Sequence, residues 1–244
     1  MALFGLSDPH LSFSTNKPMD IFSERWENHA EKIREAWLRE VTDSDTVVIP
    51  GDISWAMTLD EAREDFAFIN ALPGKKIILK GNHDYWWQSL KKLNEFLKKE
   101  GFDTISFLHN TALFAEGFII CGSRGWSNDP PLSEDDKKII AREAGRFELS
   151  IKEGEKLRDK IALETGSVPE ILVFSHYPHL SPGQDTSPIA EVIVRHGIKR
   201  VFYGHLHGKC DSHLPKSITG LCAQILSADY LNFVPKRINP EILS

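Results

Sequence analysis

The chain has 244 residues, 41% of them hydrophobic and 26% charged, the balance of an ordinary globular fold with a sizeable core. With a formal net charge of -6 at pH 7, no broad electrostatic footprint for duplex nucleic acid is evident, though a local one is not excluded, and no apolar run approaches the length of a membrane span. Three cysteines, Cys121, Cys210 and Cys222, are an odd number without CxxC spacing, which points to free thiols in a reducing cytoplasm and not to a disulfide framework. Met1 to Asp8 runs into a candidate strand with no basic n-region, so a cleavable signal is not expected.

In chain order, Ala2 to Leu6 reads as a short buried strand. From Asp20 to Val41 the apolar positions Phe22, Trp26, Ala30, Ile33, Trp37 and Val41 recur at helical spacing, with Asp20 as the expected N-cap. Thr46 to Ile49 is a second buried strand, stopped by Pro50-Gly51. Thr58 and Glu61 form a capping-box pattern that opens a helix through Ala71. Lys76 to Leu79 is a third strand and Trp86 to Lys99 another helix, on which Lys91, Lys92, Lys98 and Lys99 interleave with Glu95 and Glu100 as a solvated face. Phe102 to His109, Leu113 to Ala115 and Phe118 to Cys121 are strands with short connections, which predicts antiparallel pairing. Asn128-Asp129-Pro130-Pro131 leads into a charged, helical stretch from Ser133 to Glu164, expected as a surface helical pair with some role as a cap near the site. Glu170 to Phe174 is a strand, Pro188 to His196 a helix and Arg200 to Tyr203 a strand. Ile218 to Ser227 and Tyr230 to Val234 read as a closing hairpin. The expected architecture is one domain over residues 1–244, with two facing sheets, helices outside, and a mostly helical insertion at about 127–166.

Five polar clusters follow or end these apolar runs. They are Asp8-Pro9-His10, Gly51-Asp52, Gly81-Asn82-His83-Asp84, Ser175-His176 and Gly204-His205-Leu206-His207. Strand ends are where open α/β folds place their chemistry. Two residues apart on an extended backbone, Asp8 and His10 point to one side, and Pro9 biases Asp8 toward β or polyproline geometry. His205 and His207 repeat that spacing. Asp52 follows a glycine turn and has two oxygens with which to bridge two ions; Asn82 offers an amide oxygen. A lone GD, GH or DxH is usually a turn, but GNHD after a strand is a stronger signal, and all five in order suit two divalent metal ions. Oxygen and nitrogen donors without thiolate favour manganese, iron or zinc over copper, calcium or magnesium.

These blocks resemble the five motifs of the calcineurin-like metallophosphoesterase superfamily and span residues 8 to 207. The resemblance implies a four-layer α/β/β/α sandwich with metals at the strand ends. It implies Asp8, His10, Asp52 and His207 around one ion and Asp52, Asn82, His176 and His205 around the other, with Asp52 shared. Pro9 departs from the pattern, where an apolar residue is usual. By similarity, His83 stabilises the transition state or protonates the leaving oxygen, and Asp84 is expected to hold its imidazole. The reaction implied is hydrolysis of a phosphate ester by in-line attack of a metal-bridging hydroxide. Arg124, after a strand, is a candidate for substrate phosphate. Tyr85 is a candidate for stacking on the substrate, and His179 for lining the pocket. Trp86 and Trp87 share the stacking reading, against the commoner one of core aromatics. His29, His109, His196 and His213 read as bystanders. A small-molecule phosphate ester, cleaved by a phosphodiesterase or a phosphatase, is the expected substrate class. Absent DNA-binding extensions argue against a nuclease and an absent regulatory tail against a protein phosphatase. A metal-binding scaffold without turnover is the competing reading, and intact His83 and Asp84 argue against it.

Overall fold

The computed structural model describes residues 1–129, 131–180, 184–208 and 220–240. Pro130, Cys210, His213 and the first residues of the strand expected over 218–227 lie outside them. The strands are β1 (Leu3–Gly5), β2 (Thr46–Ile49), β3 (Lys75–Ile78), β4 (Ile105–Phe107), β5 (Ala112–Ala115), β6 (Phe118–Ser123), β7 (Glu170–Ser175), β8 (Arg200–Tyr203), β9 (Cys222–Ile225) and β10 (Lys236–Ile238). The helices are α1 (His29–Glu40), α2 (Arg63–Ala71), α3 (Leu90–Glu100), α4 (Glu134–Thr165) and α5 (Pro188–Arg195).

Two five-stranded sheets result, in the orders β10-β1-β2-β3-β4 and β5-β6-β7-β8-β9. Each is parallel except for one antiparallel edge strand, β10 against β1 and β5 against β6. Period-two alternation sorts the side chains into three apolar layers. Val47 and Ile49 face α1 to α3, while Val48 faces the second sheet. Ile120, Leu172, Phe174 and Phe202 answer Val48 from the other side, and their neighbours Ile119, Cys121, Val173 and Val201 turn outward to α4 and α5. Central strands buried on both faces read as unbroken apolar runs, which explains why they stand out in the sequence. The four-layer α/β/β/α sandwich is therefore present.

Four local expectations are corrected. The residues from Asp20 onward do not form one helix. Short 3-10 turns at Met19–Ile21 and Glu24–Trp26 precede α1, which starts at His29. Trp26 is buried against the rings of His10 and His207, and that tertiary contact overrides the helical periodicity. The segment Phe102 to His109 supplies β4, which joins β3 in parallel; antiparallel pairing holds for β5 and β6. The expected hairpin is split, because β9 extends the second sheet beside β8 while β10 closes the first beside β1. Ser133 to Thr165 is one continuous helix and not a helical pair. Ser133 and Asp136 close a capping box at its start, Gly166 ends it at φ 72°, and its apolar stripe packs on the second sheet.

Helices α2 and α3 start later than expected. Thr58 and Glu61 exchange the capping bonds around a turn that precedes Arg63. Residues 83 to 89 form a loop, and Ser89 caps α3. Trp86 is fully buried against Phe66 and Phe107, so it is a core residue. Trp87 is half-buried against Phe107 and His109. Cys121 and Cys222 are free thiols. Among the described residues, no helix is long and apolar enough to cross a membrane.

Phe147, with 0% exposure, anchors α4 in the outer layer of the second sheet. Phe147→Ala is expected to cost about 3–5 kcal/mol, read as a lowered urea midpoint with an unchanged slope. A shift below about 1 kcal/mol would contradict the anchoring of α4 on this core.

Candidate metal centre

The loops that follow β1, β2, β3, β7 and β8 meet at one edge between the sheets. The loop after β1 runs beside the loop after β2: Asp8 N–H donates to Gly51 O at 3.0 Å and His10 N–H to Asp52 O at 3.0 Å. Ser7 bridges across to Ser227, just beyond β9 of the second sheet. The pair Asp8 and His10 does not lie on extended backbone. Both residues are left-handed, at φ 60° and 45°, and so are Asp52 at 53° and His205 at 68°. Such conformations cost non-glycine residues of order 1–3 kcal/mol each and cluster at functional sites. Pro9 sets its own φ but does not override the loop-to-loop hydrogen bonds. Close approach sets two glycines. A Cβ on Gly204 would lie 2.2 Å from Asp8 Oδ2, and one on Gly81 would lie 2.1 Å from Asp52 Oδ1.

Two sets of donor atoms converge. In the first, His10 Nε2 and His207 Nε2 stand 3.1 Å apart. His10 Nε2 lies 3.6 Å from Asp52 Oδ2, and His207 Nε2 lies 3.6 Å from Asp8 Oδ1. In the second, Asn82 Oδ1 lies 2.6 Å from His176 Nε2 and 2.9 Å from His205 Nδ1, and His176 Nε2 lies 3.5 Å from Asp52 Oδ2. Asp52 Oδ2 thus stands between the sets. Its other oxygen accepts the His83 N–H at 2.8 Å. Asp8 accepts the His205 N–H and the Ser227 hydroxyl. Asp8, His10, Asp52 and His176 are buried; Asn82, His205 and His207 are half-buried.

The protonation states make these contacts informative. His207 Nδ1 faces Asp229 Oδ1 at 2.9 Å and His176 Nδ1 faces the Pro50 carbonyl at 3.1 Å. Acceptors at Nδ1 place the ring proton there and leave Nε2 as a bare lone pair. Burial, then the neighbouring imidazoles, pushes His10 and His176 well below the usual histidine value. Burial likewise takes His205 down to about 4. Burial alone would lower His207, but Asp229 and Asp8 outweigh it and raise it. Lone pair therefore faces lone pair at His176 Nε2 and Asn82 Oδ1, an arrangement that repels without a cation between. Asp52 is pushed up to about 9, by burial first and then by Asp8 and Asp84. Asp8 is raised by burial. Neutral imidazoles and carboxylates short of positive charge fit divalent cations. Asp8, His10 and His207 could hold one, and so could Asp8, Asp52 and His176, each group offering donor atoms within 4.8 Å of one another.

His83 lies beside these donors without joining them. Its ring packs against Trp55 at 4.3 Å and edge-on to His10 at 5.7 Å, and its buried Nδ1 has no hydrogen-bond partner. Asp84 does not hold it. The Asp84 carboxylate accepts the N–H groups of Gly81 at 2.6 Å, Asp52 at 2.9 Å and Ile53 at 2.9 Å, so its charge is spent locking two loops together. Tyr85 is exposed, edge-on to His83 at 6.2 Å. Arg124 is half-buried with its guanidinium 4.7 Å over Trp126. His179 is 1% exposed and both ring nitrogens lack partners, so it is packed inside and does not line an open pocket.

The sequence reading missed several contributors. Asp229 orients His207 and also accepts the Gly208 N–H at 2.7 Å; its signal was an acid just after the apolar run ending at Leu226. Trp55 stacks on His10 at 4.9 Å and 21°, and Tyr177 lies 4.3 Å from the His205 ring. His29, read as a bystander, contacts the His10 carbonyl through Nε2 at 3.3 Å.

Against known proteins, the model of the calcineurin-like phosphoesterase family matches residues 1–209. Among solved structures, the chain is similar to a protein of unknown function from Aquifex aeolicus, with a TM-score of 0.51 and 18% identity over 97% of this chain and 95% of that one. It is also similar to the phosphopantetheinyl hydrolase of Mycobacterium tuberculosis, with a TM-score of 0.52 and 14% identity over 100% and 97%. A Thermus thermophilus protein gives a TM-score of 0.56 at 14% identity, covering 97% of both chains. At these identities the likeness concerns the fold. A comparison with curated proteins found no match. The family model covers every one of the five polar clusters, and the donor atoms of those clusters converge at the strand ends; the chain belongs to the calcineurin-like phosphoesterase family.

Proposed function

We propose that the chain is a two-metal hydrolase of a small-molecule phosphate ester, working in the cytoplasm with manganese, iron or zinc. The observation that carries this reading is Asp52 Oδ2, set 3.6 Å from His10 Nε2 and 3.5 Å from His176 Nε2. In this reading Asp8, His10, Asp52 and His207 hold one ion, and Asp52, Asn82, His176 and His205 the other. When bound, such ions supply Lewis acidity toward phosphoryl oxygens and acidify water. The chain's own residues do the rest. His83, beside the donors with its ring against Trp55 and edge-on to His10, takes the role of stabilising the transition state or giving a proton to the leaving oxygen. Asp229 and the Pro50 carbonyl fix the tautomers of His207 and His176, the usual task of groups behind metal-binding imidazoles. Asp84 keeps Asp52 in register by gripping its N–H. Trp55 covers His10 and limits water on that side. Tyr85, exposed and edge-on to His83 at 6.2 Å, takes the role of stacking on the leaving group.

Asp52→Asn is expected to lose both metals and the manganese-supported hydrolysis of bis-p-nitrophenyl phosphate and p-nitrophenyl phosphate; two metals bound with near-native turnover would refute the bridging role. His83→Ala should keep its metals and lose roughly 10²- to 10⁴-fold in kcat. Unchanged turnover would remove His83 from the chemistry.

Asp229→Asn is expected to weaken metal affinity about 10- to 100-fold, read by titration of metal-free protein, with the fold preserved by circular dichroism. Equal affinities would show that His207 needs no orienting partner.

The metal-free protein should also lose stability between pH 7 and 8. Folded Asp52 keeps its proton to about pH 9, whereas the unfolded carboxylate releases its proton near pH 4. The folded state then binds more protons, so stability falls as pH rises, by up to about 1.4 kcal/mol per pH unit. His207, also raised, acts in the same direction. Above pH 8 Lys76, lowered to about 8 by burial, begins to act oppositely. Metal loading should flatten the dependence; a melting temperature of the metal-free protein that does not fall from pH 7 to 8 would contradict the buried state of Asp52.

A further inference from the structure

Beside Asn82, His176 and His205 lies a concentration of positive charge that the proposed chemistry does not use. Lys80 precedes Gly81 just beyond β3, and Arg124 directly follows β6. Both therefore stand at strand ends on the edge that carries the metal centre. Arg146, on α4, pairs with Glu143, which also accepts from Ser123 and Gly125 on either side of Arg124. Among the described residues neither Lys80 nor Arg124 makes an ion pair, and the buried Arg124 Nε has no acceptor. Both are half-buried, a costly state for cations without anions.

The nearby acids are engaged elsewhere. Glu143 is fully buried; one of its oxygens takes Arg146, and the other accepts from the Ser123 hydroxyl at 2.9 Å and the Gly125 N–H at 3.2 Å. Asp84 is committed to three backbone amides. A chain of net charge -6 thus keeps at its site two cations that, among the described residues, make no direct ion pair, with Glu143 and Asp84 acting on them only from further off.

Contacts tie Arg124 to the metal donors. The Arg124 carbonyl accepts the N–H groups of His176 at 3.1 Å and Tyr177 at 3.0 Å. Its guanidinium lies over Trp126, whose ring is 5.8 Å from that of Tyr177, and Tyr177 in turn packs 4.3 Å from His205. We infer that Lys80 and Arg124, backed by Arg146, form an anion subsite beside the metal centre, so that the preferred substrate carries two phosphate-like groups, one at the metals and one held by these cations. An Arg fork matches phosphate oxygens and a Lys adds a mobile point charge. The inference deepens the phosphoesterase reading and rests on it for the first phosphate.

The test is calorimetric titration of manganese-loaded protein with linear alkane bisphosphonates of three to six carbons and with the matching alkyl monophosphonates, whose C–P bonds resist hydrolysis. At least one bisphosphonate is expected to bind about tenfold or more tightly than its monophosphonate, near 1.4 kcal/mol. Lys80→Gln and Arg124→Gln should each bring that ratio most of the way to one. Lys156→Gln, the same charge change at an exposed position further along α4, should leave it intact. A ratio near one at every chain length, or a ratio unchanged in both variants, would overturn the subsite. Hydrolysis of bis-p-nitrophenyl phosphate is read separately. Hydrolysis without a selective ratio removes the subsite alone, and a selective ratio without any hydrolysis removes the enzyme reading while the anion site stands.

Discussion

Three carboxylates, Asp8, Asp52 and Asp84, are buried within one site at the strand ends. Buried like charges are tolerated only where hydrogen bonds or cations answer them. Asp84 is answered by three backbone N–H groups and Asp8 by the His205 amide and Ser227. Asp52 has one such bond, through Oδ1, and its Oδ2 faces imidazole nitrogens. That leftover oxygen is the demand around which the rest is arranged. The imidazoles held neutral by burial do not satisfy it; without a cation the carboxyl keeps its proton, and a divalent ion would take that proton's place.

The backbone meets that demand at a conformational cost. Four of the proposed ligands sit in the left-handed region, where a side chain is displaced from its strand direction and turned into the gap between loops. The loops can come together because Gly204 and Gly81 lack the Cβ that would strike Asp8 and Asp52. The strain is balanced by the bonds that run from loop to loop, Asp8 to Gly51 and His10 to Asp52, and by the Asp84 grip on two loops at once. Removing the grip would affect the metal donors without touching them. Asp84 is thus a positioning residue and not the orienter of His83.

How much of this was legible depends on the range of the forces involved. The parallel strands were legible because burial on both faces writes a continuous apolar run, and the polar cluster after each run marked the site. Which strand pairs with which was not, because short connections do not distinguish a hairpin from a crossing between sheets; β4 and β5 are neighbours in sequence and belong to different sheets. The turns around Met19 and Trp26 were hidden for a related reason. Trp26 has helical spacing, but its partner rings, His10 and His207, lie far away in the chain. The same distance concealed Asp229, since an acid after a strand acquires meaning only when His207 is 2.9 Å away. The Asp84 assignment failed differently. Adjacency to His83 suggested a side-chain partner, while three unpaired amides offered a stronger demand.

The donors come from two sheets, and this division gives the site its mechanical logic. The loops of the first sheet bring Asp8, His10, Asp52 and Asn82; those of the second bring His176, His205 and His207. Each donor set draws from both. The separation of the sheets therefore sets the spacing of the centre, and that separation is fixed by the layer of Val48, Leu79, Ile120, Phe174 and Phe202 between them. Close packing makes such a layer respond to a change of even one methylene. A change in this inter-sheet core should therefore reach the metal donors as geometry as well as stability, whereas a change in the outer layers under α1 or α4 acts on stability first. The sandwich is in this sense a spacer: its middle layer holds two half-sites at a distance over which Asp8 and Asp52 reach donors of both.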